Sequence, residues 1–137
     1  MCYNKVVGYY NIGMIVKTDM GFDLAKISNG SETILPQCSL AISVGSLRQN
    51  NLTLQADEGC LVCVRSGLAF NHNILGHVGC VDQSYEGDIK VLLFNLGHLP
   101  YVVNTGQRIA QAVIVKLGKY NVRKTARGTD GFGSSGV

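Results

Sequence analysis

Ile89-Lys90-Val91-Leu92-Leu93-Phe94 and the run from Ile109 to Val115 decide the fold class. Both are rich in β-branched and large apolar residues, and both follow turn signals, Glu86-Gly87-Asp88 and Asn104-Thr105-Gly106. Such runs read as strands. Working outward, Leu40-Ala41-Ile42-Ser43-Val44 and Leu52-Thr53-Leu54-Gln55 alternate apolar with small or polar residues, and Leu61-Val62-Cys63-Val64 is a short apolar run. Turn clusters separate these segments at Ser28-Asn29-Gly30, Gln49-Asn50-Asn51 and Asp57-Glu58-Gly59. Short strands at this spacing predict an all-β sandwich, jelly roll or barrel. No segment carries the periodicity of a three-turn amphipathic helix, and a single helical turn is expected near Ser66 to Phe70.

The chain has 137 residues, 46% of them apolar and 15% charged, with a formal charge of +3. That size fits one domain, and the composition excludes disorder as the main state. No apolar run reaches the length of a membrane span, so an integral membrane protein is not expected. The N-terminus lacks the pattern of a signal peptide. Five cysteines without secretory context point to reduced thiols in a cytoplasmic or nuclear compartment. Seventeen glycines against two prolines imply tight turns and close backbone approaches.

Charge and chemistry are local. Lys116, Lys119, Arg123, Lys124 and Arg127 form a basic block that suits a phosphate-bearing ligand, although on charge alone a solvated terminal arm is the better reading. Residues 128–137 carry four glycines and Phe132, enough to bend over a ligand and offer it a flat face, or else simply a frayed terminus. Arg65-Ser66-Gly67 places a guanidinium, a hydroxyl and an approachable amide in succession, a phosphate clamp or simply a turn. Asp82 ends an apolar stretch just before a turn. It is a candidate general base, with Tyr85 beside it, although on the residues alone a turn-capping aspartate is favoured. Cys60 and Cys63 make a C-x-x-C inside a strand, where residues three apart face opposite ways, so a shared metal or disulfide is not expected. His72, His77 and His98 have no partner at ligand spacing and read as surface or turn residues.

In order, these segments resemble the five motifs of the trimeric dUTPase family. Asp19-Met20-Gly21-Phe22-Asp23-Leu24 is similar to the first and Arg65-Ser66-Gly67-Leu68-Ala69 to the second. The third is resembled by residues 79–89, which include Gly79, Val81, Asp82 and Tyr85. The fourth is resembled by Gly106-Gln107-Arg108-Ile109-Ala110-Gln111, and the fifth by residues 127–136. Arg65 and Asp82 also stand 17 positions apart, a family-like interval.

The resemblance implies a jelly-roll-like, distorted β-barrel over residues 1–126 and a flexible glycine-rich C-terminal arm over 127–137. It implies a homotrimer whose sites draw on more than one subunit, and hydrolysis of dUTP to dUMP and pyrophosphate with Mg2+, an activity that limits uracil in DNA. Asp82 would then take a proton from the water attacking the α-phosphorus. Tyr85 would pack beneath the deoxyribose. Backbone groups from Gly79 through Val81 to Lys90 would read the uracil edge. Arg65, Ser66, Gly67 and Gln111 would hold the phosphates, Arg127 would meet the γ-phosphate, and Phe132 with Gly133 would close over uracil. Asp23 would orient a water on a Mg2+ held chiefly by the triphosphate. No membrane and no stable nucleic-acid partner is implied.

Three departures stand out. Gln107 takes a place where many members carry an acid, which loosens an internal ion pair. The segment from Gln111 to Arg127 is shorter than usual, which puts the reach of the arm in question. Gly76 stands where some members carry asparagine, although glycine is also common there. Two other functions compete. A dCTP deaminase of the same superfamily is opposed by Gly67 and Asp82. A dUTPase-like binding protein with little turnover could offer Ser135-Gly136-Val137 to a PDZ domain.

Overall fold

The computed structural model describes residues 5–6, 9–10 and 20–119. Two short strands, β1 (Lys5–Val6) and β2 (Tyr9–Tyr10), pair with each other. A four-stranded antiparallel sheet follows the order β3 (Phe22–Ala25), β11 (Arg108–Lys116), β6 (Glu58–Val64), β8 (Gly79–Val81). A three-stranded sheet runs β5 (Ser39–Gly45), β9 (Ile89–Asn95), β7 (Ile74–Gly76). A ribbon of β4 (Ser31–Ile34) and β10 (Tyr101–Asn104) completes the set, with one helix, α1 (Ser66–His72), between β6 and β7. No helix among the described residues is long and apolar enough to cross a membrane.

Alternation in β9 explains its place. Ile89, Val91 and Leu93 are buried, whereas Lys90 and Phe94 face outward. Those three join Leu24, Ile42, Val44, Val62 and Ile109 in one core that both sheets share. Gly76 closes the sheets against each other. A side chain there would collide with Val64 and come within 3.1 Å of the Leu92 carbonyl oxygen. Gly21 does the same for β3, because a Cβ would strike the Ala112 carbonyl of β11.

The alternating segment Leu52 to Gln55 is not a strand. Leu52 and Leu54 are buried as their pattern requires, but the backbone has turned away from any ladder. Asn50 causes the turn: its buried amide donates to the carbonyls of Val44 (2.9 Å) and Ser46 (2.8 Å), and Asn51 follows at φ 55°. The expected helical turn is present and slightly longer, seven residues from Ser66 to His72. It ends on Asn73 in the left-handed conformation, φ 57°.

One buried cation organises the turn beside the site. Lys26 is 1% exposed, and its Nζ donates to the Ser28 carbonyl (2.7 Å), the Ser28 hydroxyl (2.9 Å) and the Gly30 carbonyl (3.0 Å), with the Glu32 carboxylate at 3.7 Å. Its own backbone bonds Gln107 and Gly106 in the turn that leads into β11. Replacing Lys26 with methionine fills the space but removes the ammonium donor and leaves the Ser28 and Gly30 carbonyls to share the Thr105 hydroxyl. The expected cost is about 2–4 kcal/mol, read as a lower urea midpoint with an unchanged slope.

Candidate functional site

A cleft of about 410 Å³ opens where β3, β11, α1 and the start of β10 meet. Arg65, Ser66, Gly67, Gln111 and Asp23 all line it, so five of the residues expected to serve the phosphates and the metal converge there. Ser66 and Gly67 form the first turn of α1. Gln111 and Asp23 are direct cross-strand neighbours on β11 and β3.

Arg108 also lines the cleft, a residue that sequence reasoning quoted without giving it a role. In a regular strand Arg108 and Gln111, three apart, would face opposite sides. The register between β11 and β3 shifts between Arg108 and Ala110, leaving Ile109 as the extra residue of a bulge. Ile109 and Ala110 are therefore both fully buried, and Arg108 swings to the same face as Gln111. Its guanidinium lies 3.2 Å from Asp23 Oδ2. Among the described residues lining the cleft Asp23 is the single acid, against Arg65 and Arg108. The cleft favours anions.

Asp23 is 3% exposed and engages Arg108. No group of three or more histidine, cysteine, aspartate or glutamate side chains capable of holding a metal occurs among the described residues. A lone buried carboxylate in an anion cleft fits a Mg2+ that keeps its waters and takes most of its oxygens from phosphates, and does not fit an all-protein cage.

The third-motif residues gather elsewhere. β8 is an edge strand of its sheet among the described residues, with Gly79 opposite Val62 and Val81 opposite Cys60. An edge strand presents backbone N–H and C=O groups outward, the donors and acceptors a base edge can pair with. Asp82 follows β8, and its carbonyl accepts the Tyr85 amide at 3.0 Å, closing a turn over Gln83 and Ser84 that comes before the expected Glu86-Gly87-Asp88. The Tyr85 ring lies over Gly87, where a side chain would collide with it, and its hydroxyl donates to the Asp88 carbonyl at 2.9 Å. Desolvation, with the Asp88 carboxylate second, raises the Tyr85 phenol above its ordinary range, so it stays a neutral donor near pH 7. Lys90 is exposed on β9.

The two groups of residues are far apart in one chain. Antiparallel register pairs Val81 with Cys60 and Asp82 continues one residue further toward the start of β6, while Arg65 lies beyond the opposite end of β6. Six strand residues at about 3.3 Å each separate them by roughly 20 Å. Arg127, Phe132 and Gly133 of the arm, like Ser135 to Val137, lie outside the described residues.

Cys60 and Cys63 leave β6 on opposite faces, the first 2% exposed and the second half-buried, and both are free thiols. Burial, with Cys63 adding to it, pushes the Cys60 thiol up to about 11, so it is inert as a nucleophile at neutral pH. Since folding holds this thiol protonated, its contribution to stability is full below the ordinary value of 9.0 and is lost as pH rises through about 11. The histidines are exposed, as expected, and His77 Nδ1 accepts the Leu92 amide at 3.3 Å. His72, however, also lines the cleft. Gln107 makes neutral bonds: its Oε1 accepts the Asn104 amide at 3.1 Å and its Nε2 donates to the Tyr101 hydroxyl at 2.8 Å.

The dUTPase family model matches residues 14–136. The chain belongs to the dUTPase family.

Among dUTPases of known sequence, the deoxyuridine 5'-triphosphate nucleotidohydrolase of Helicobacter pylori strain P12 is 38% identical over 125 residues, 85% of this chain and 82% of that protein. The corresponding protein of Rhizobium etli strain CIAT 652 is 49% identical over 81 residues. That match spans 53% of this chain and only 52% of the relative. Among solved structures, a variant dUTPase of phage 80alpha superposes with a TM-score of 0.65 at 22% identity, covering 88% of each chain. A variant dUTPase from phage phi11 of S. aureus, described with a structural Mg(II) ion, gives 0.65 at 19% identity over 80% of this chain and 85% of that one. These two likenesses bear out the jelly-roll-like β fold.

Proposed function

We propose that this chain hydrolyses dUTP to dUMP and pyrophosphate, in sites shared between the subunits of a homotrimer. The observation that carries the reading is the distribution of the family motifs into two half-sites. One is an anion cleft with Arg65, Ser66, Gly67, Arg108 and Gln111. The other is an edge strand and turn with Gly79, Val81, Asp82 and Tyr85. Neither half can do the chemistry alone, and roughly 20 Å of β6 keeps them apart within a chain. A second copy that sets its β8 edge against the cleft brings them together, which a cyclic assembly does for every subunit at once.

In such a site the outward amides and carbonyls of β8 pair with the uracil edge. This rejects cytosine by mismatched donors. Tyr85, fixed over Gly87 and by its bond to Asp88, provides a flat floor for the deoxyribose that leaves no room for a 2'-hydroxyl. Arg65 and the hydroxyl of Ser66 hold the phosphates, and Gln111 adds an amide contact. Asp82 accepts a proton from the attacking water. Mg2+, if bound, would be held chiefly by the triphosphate with Asp23 reaching it through water, and would supply charge neutralisation for the departing pyrophosphate. The arm, with Arg127 on the terminal phosphate and Phe132 and Gly133 over uracil, excludes bulk water during the step.

Family membership favours turnover over the binding role built on Ser135-Gly136-Val137. The test is pyrophosphate release from dUTP beside dCTP, dTTP and UTP. Release from dUTP alone supports the reading. Ammonia from dCTP, or no turnover of any of the four, overturns it.

A further inference from the structure

We propose that His72, oriented by Tyr101 and Gln107, contacts substrate by donating an N–H to the phosphate chain at the end of the cleft away from Ser66. The inference rests on the dUTP reading above and names a residue that reading does not use.

Helix α1 runs along the cleft wall. Ser66 and Gly67 line the cleft from its first turn, and Asn71 and His72 line it from its last. From Ser66 to His72 is six steps at 1.5 Å, or about 9 Å of wall, enough for a chain of phosphates and more than a single one needs. The imidazole is exposed, yet it is not left to swing. Its ring sits 4.9 Å from that of Tyr101 at an interplanar angle of 48°. The Tyr101 hydroxyl accepts from Gln107 Nε2 at 2.8 Å, and the Gln107 carbonyl oxygen is held by the Asn104 amide at 3.1 Å. The approach to Tyr101 is pinned as well. Buried Asn95 donates to the Ile34 and Leu99 carbonyls at 2.9 and 2.8 Å and accepts the Gly97 amide at 2.9 Å. This run of contacts starts next to Arg108 and ends at the cleft, giving Gln107 a positioning role. An imidazole offers at least one N–H in either protonation state, so the contact does not require a charged ring.

His98 supplies the control. It lines a neighbouring cleft of about 220 Å³ that shares Asn71, His72 and Tyr101 with the first, but it does not line the phosphate cleft itself.

The experiment uses the full chain, with dUTP kinetics and calorimetric binding of dUMP and of a nonhydrolysable imido analogue of dUTP. His72→Ala is expected to raise KM for dUTP and weaken the analogue roughly ten- to a hundredfold, with the dUMP affinity and the melting temperature unchanged. His72→Gln, which keeps an N–H donor, restores most of the loss. Tyr101→Phe, which removes only the hydroxyl held by Gln107, raises KM by a smaller factor, and His98→Ala leaves it at the wild-type value. An unchanged KM in His72→Ala, or equal weakening of dUMP and the analogue, overturns the inference while leaving dUTP hydrolysis standing. A wild-type chain that does not turn over dUTP overturns both.

Discussion

Asp82→Asn is expected to abolish turnover of dUTP, with kcat down by about three to five orders of magnitude and nucleotide affinity within a few-fold of wild type. The two effects separate because an amide keeps the size of the carboxylate and one acceptor oxygen but cannot accept the proton of the attacking water. Folding is not expected to suffer. Asp82 is only half-buried, and the turn bond that it anchors uses its backbone carbonyl, which the substitution keeps. Rapid-quench measurement of pyrophosphate release, with calorimetry on the nonhydrolysable analogue, checks both halves. Turnover near the wild-type rate would remove Asp82 from the chemistry.

Activity is expected to return when two inactive variants are mixed. Asp82→Asn spoils one half-site and Arg65→Ala the other, and each homotrimer alone is inactive or nearly so. Unfolded together in equal amounts and refolded, a shared site receives an intact Asp82 from one subunit and an intact Arg65 from another in about one case in four, so about a quarter of wild-type activity is recovered. If Asp82 and Arg65 served the same site from one chain, every site in the mixture would carry a defect and nothing would return. The comparison turns on the roughly 20 Å that β6 places between the two residues.

The strands were legible where side-chain periodicity and burial agree. Ile89 to Phe94 and Ile109 to Val115 fall within β9 and β11, and Leu40 to Val44 within β5. Leu52 to Gln55 shows the limit. Its alternation reports burial correctly, but burial does not require a ladder, and a buried asparagine amide captured the carbonyls of the preceding chain. The short strands β4, β7 and β10 carry too few residues to show a period of two. In the cleft, the residues proposed to hold the phosphates were legible as motifs, whereas Arg108 was not. Its direction depends on a bulge at Ile109, and no residue type between Gln107 and Gln111 announces an extra position. The same holds for the distance between Asp82 and Arg65. Seventeen positions in sequence say nothing about which ends of a strand they occupy, and only register settles that.

Gly76 ties the history of one position to that of another. Because its missing side chain makes room for Val64, and Val64 immediately precedes Arg65, bulk gained at 76 presses on the strand that delivers Arg65 to the cleft. A lineage acquiring a larger residue there has to trim position 64 in compensation or let the sheets spread. The two sites are free to drift as a couple and are constrained as individuals.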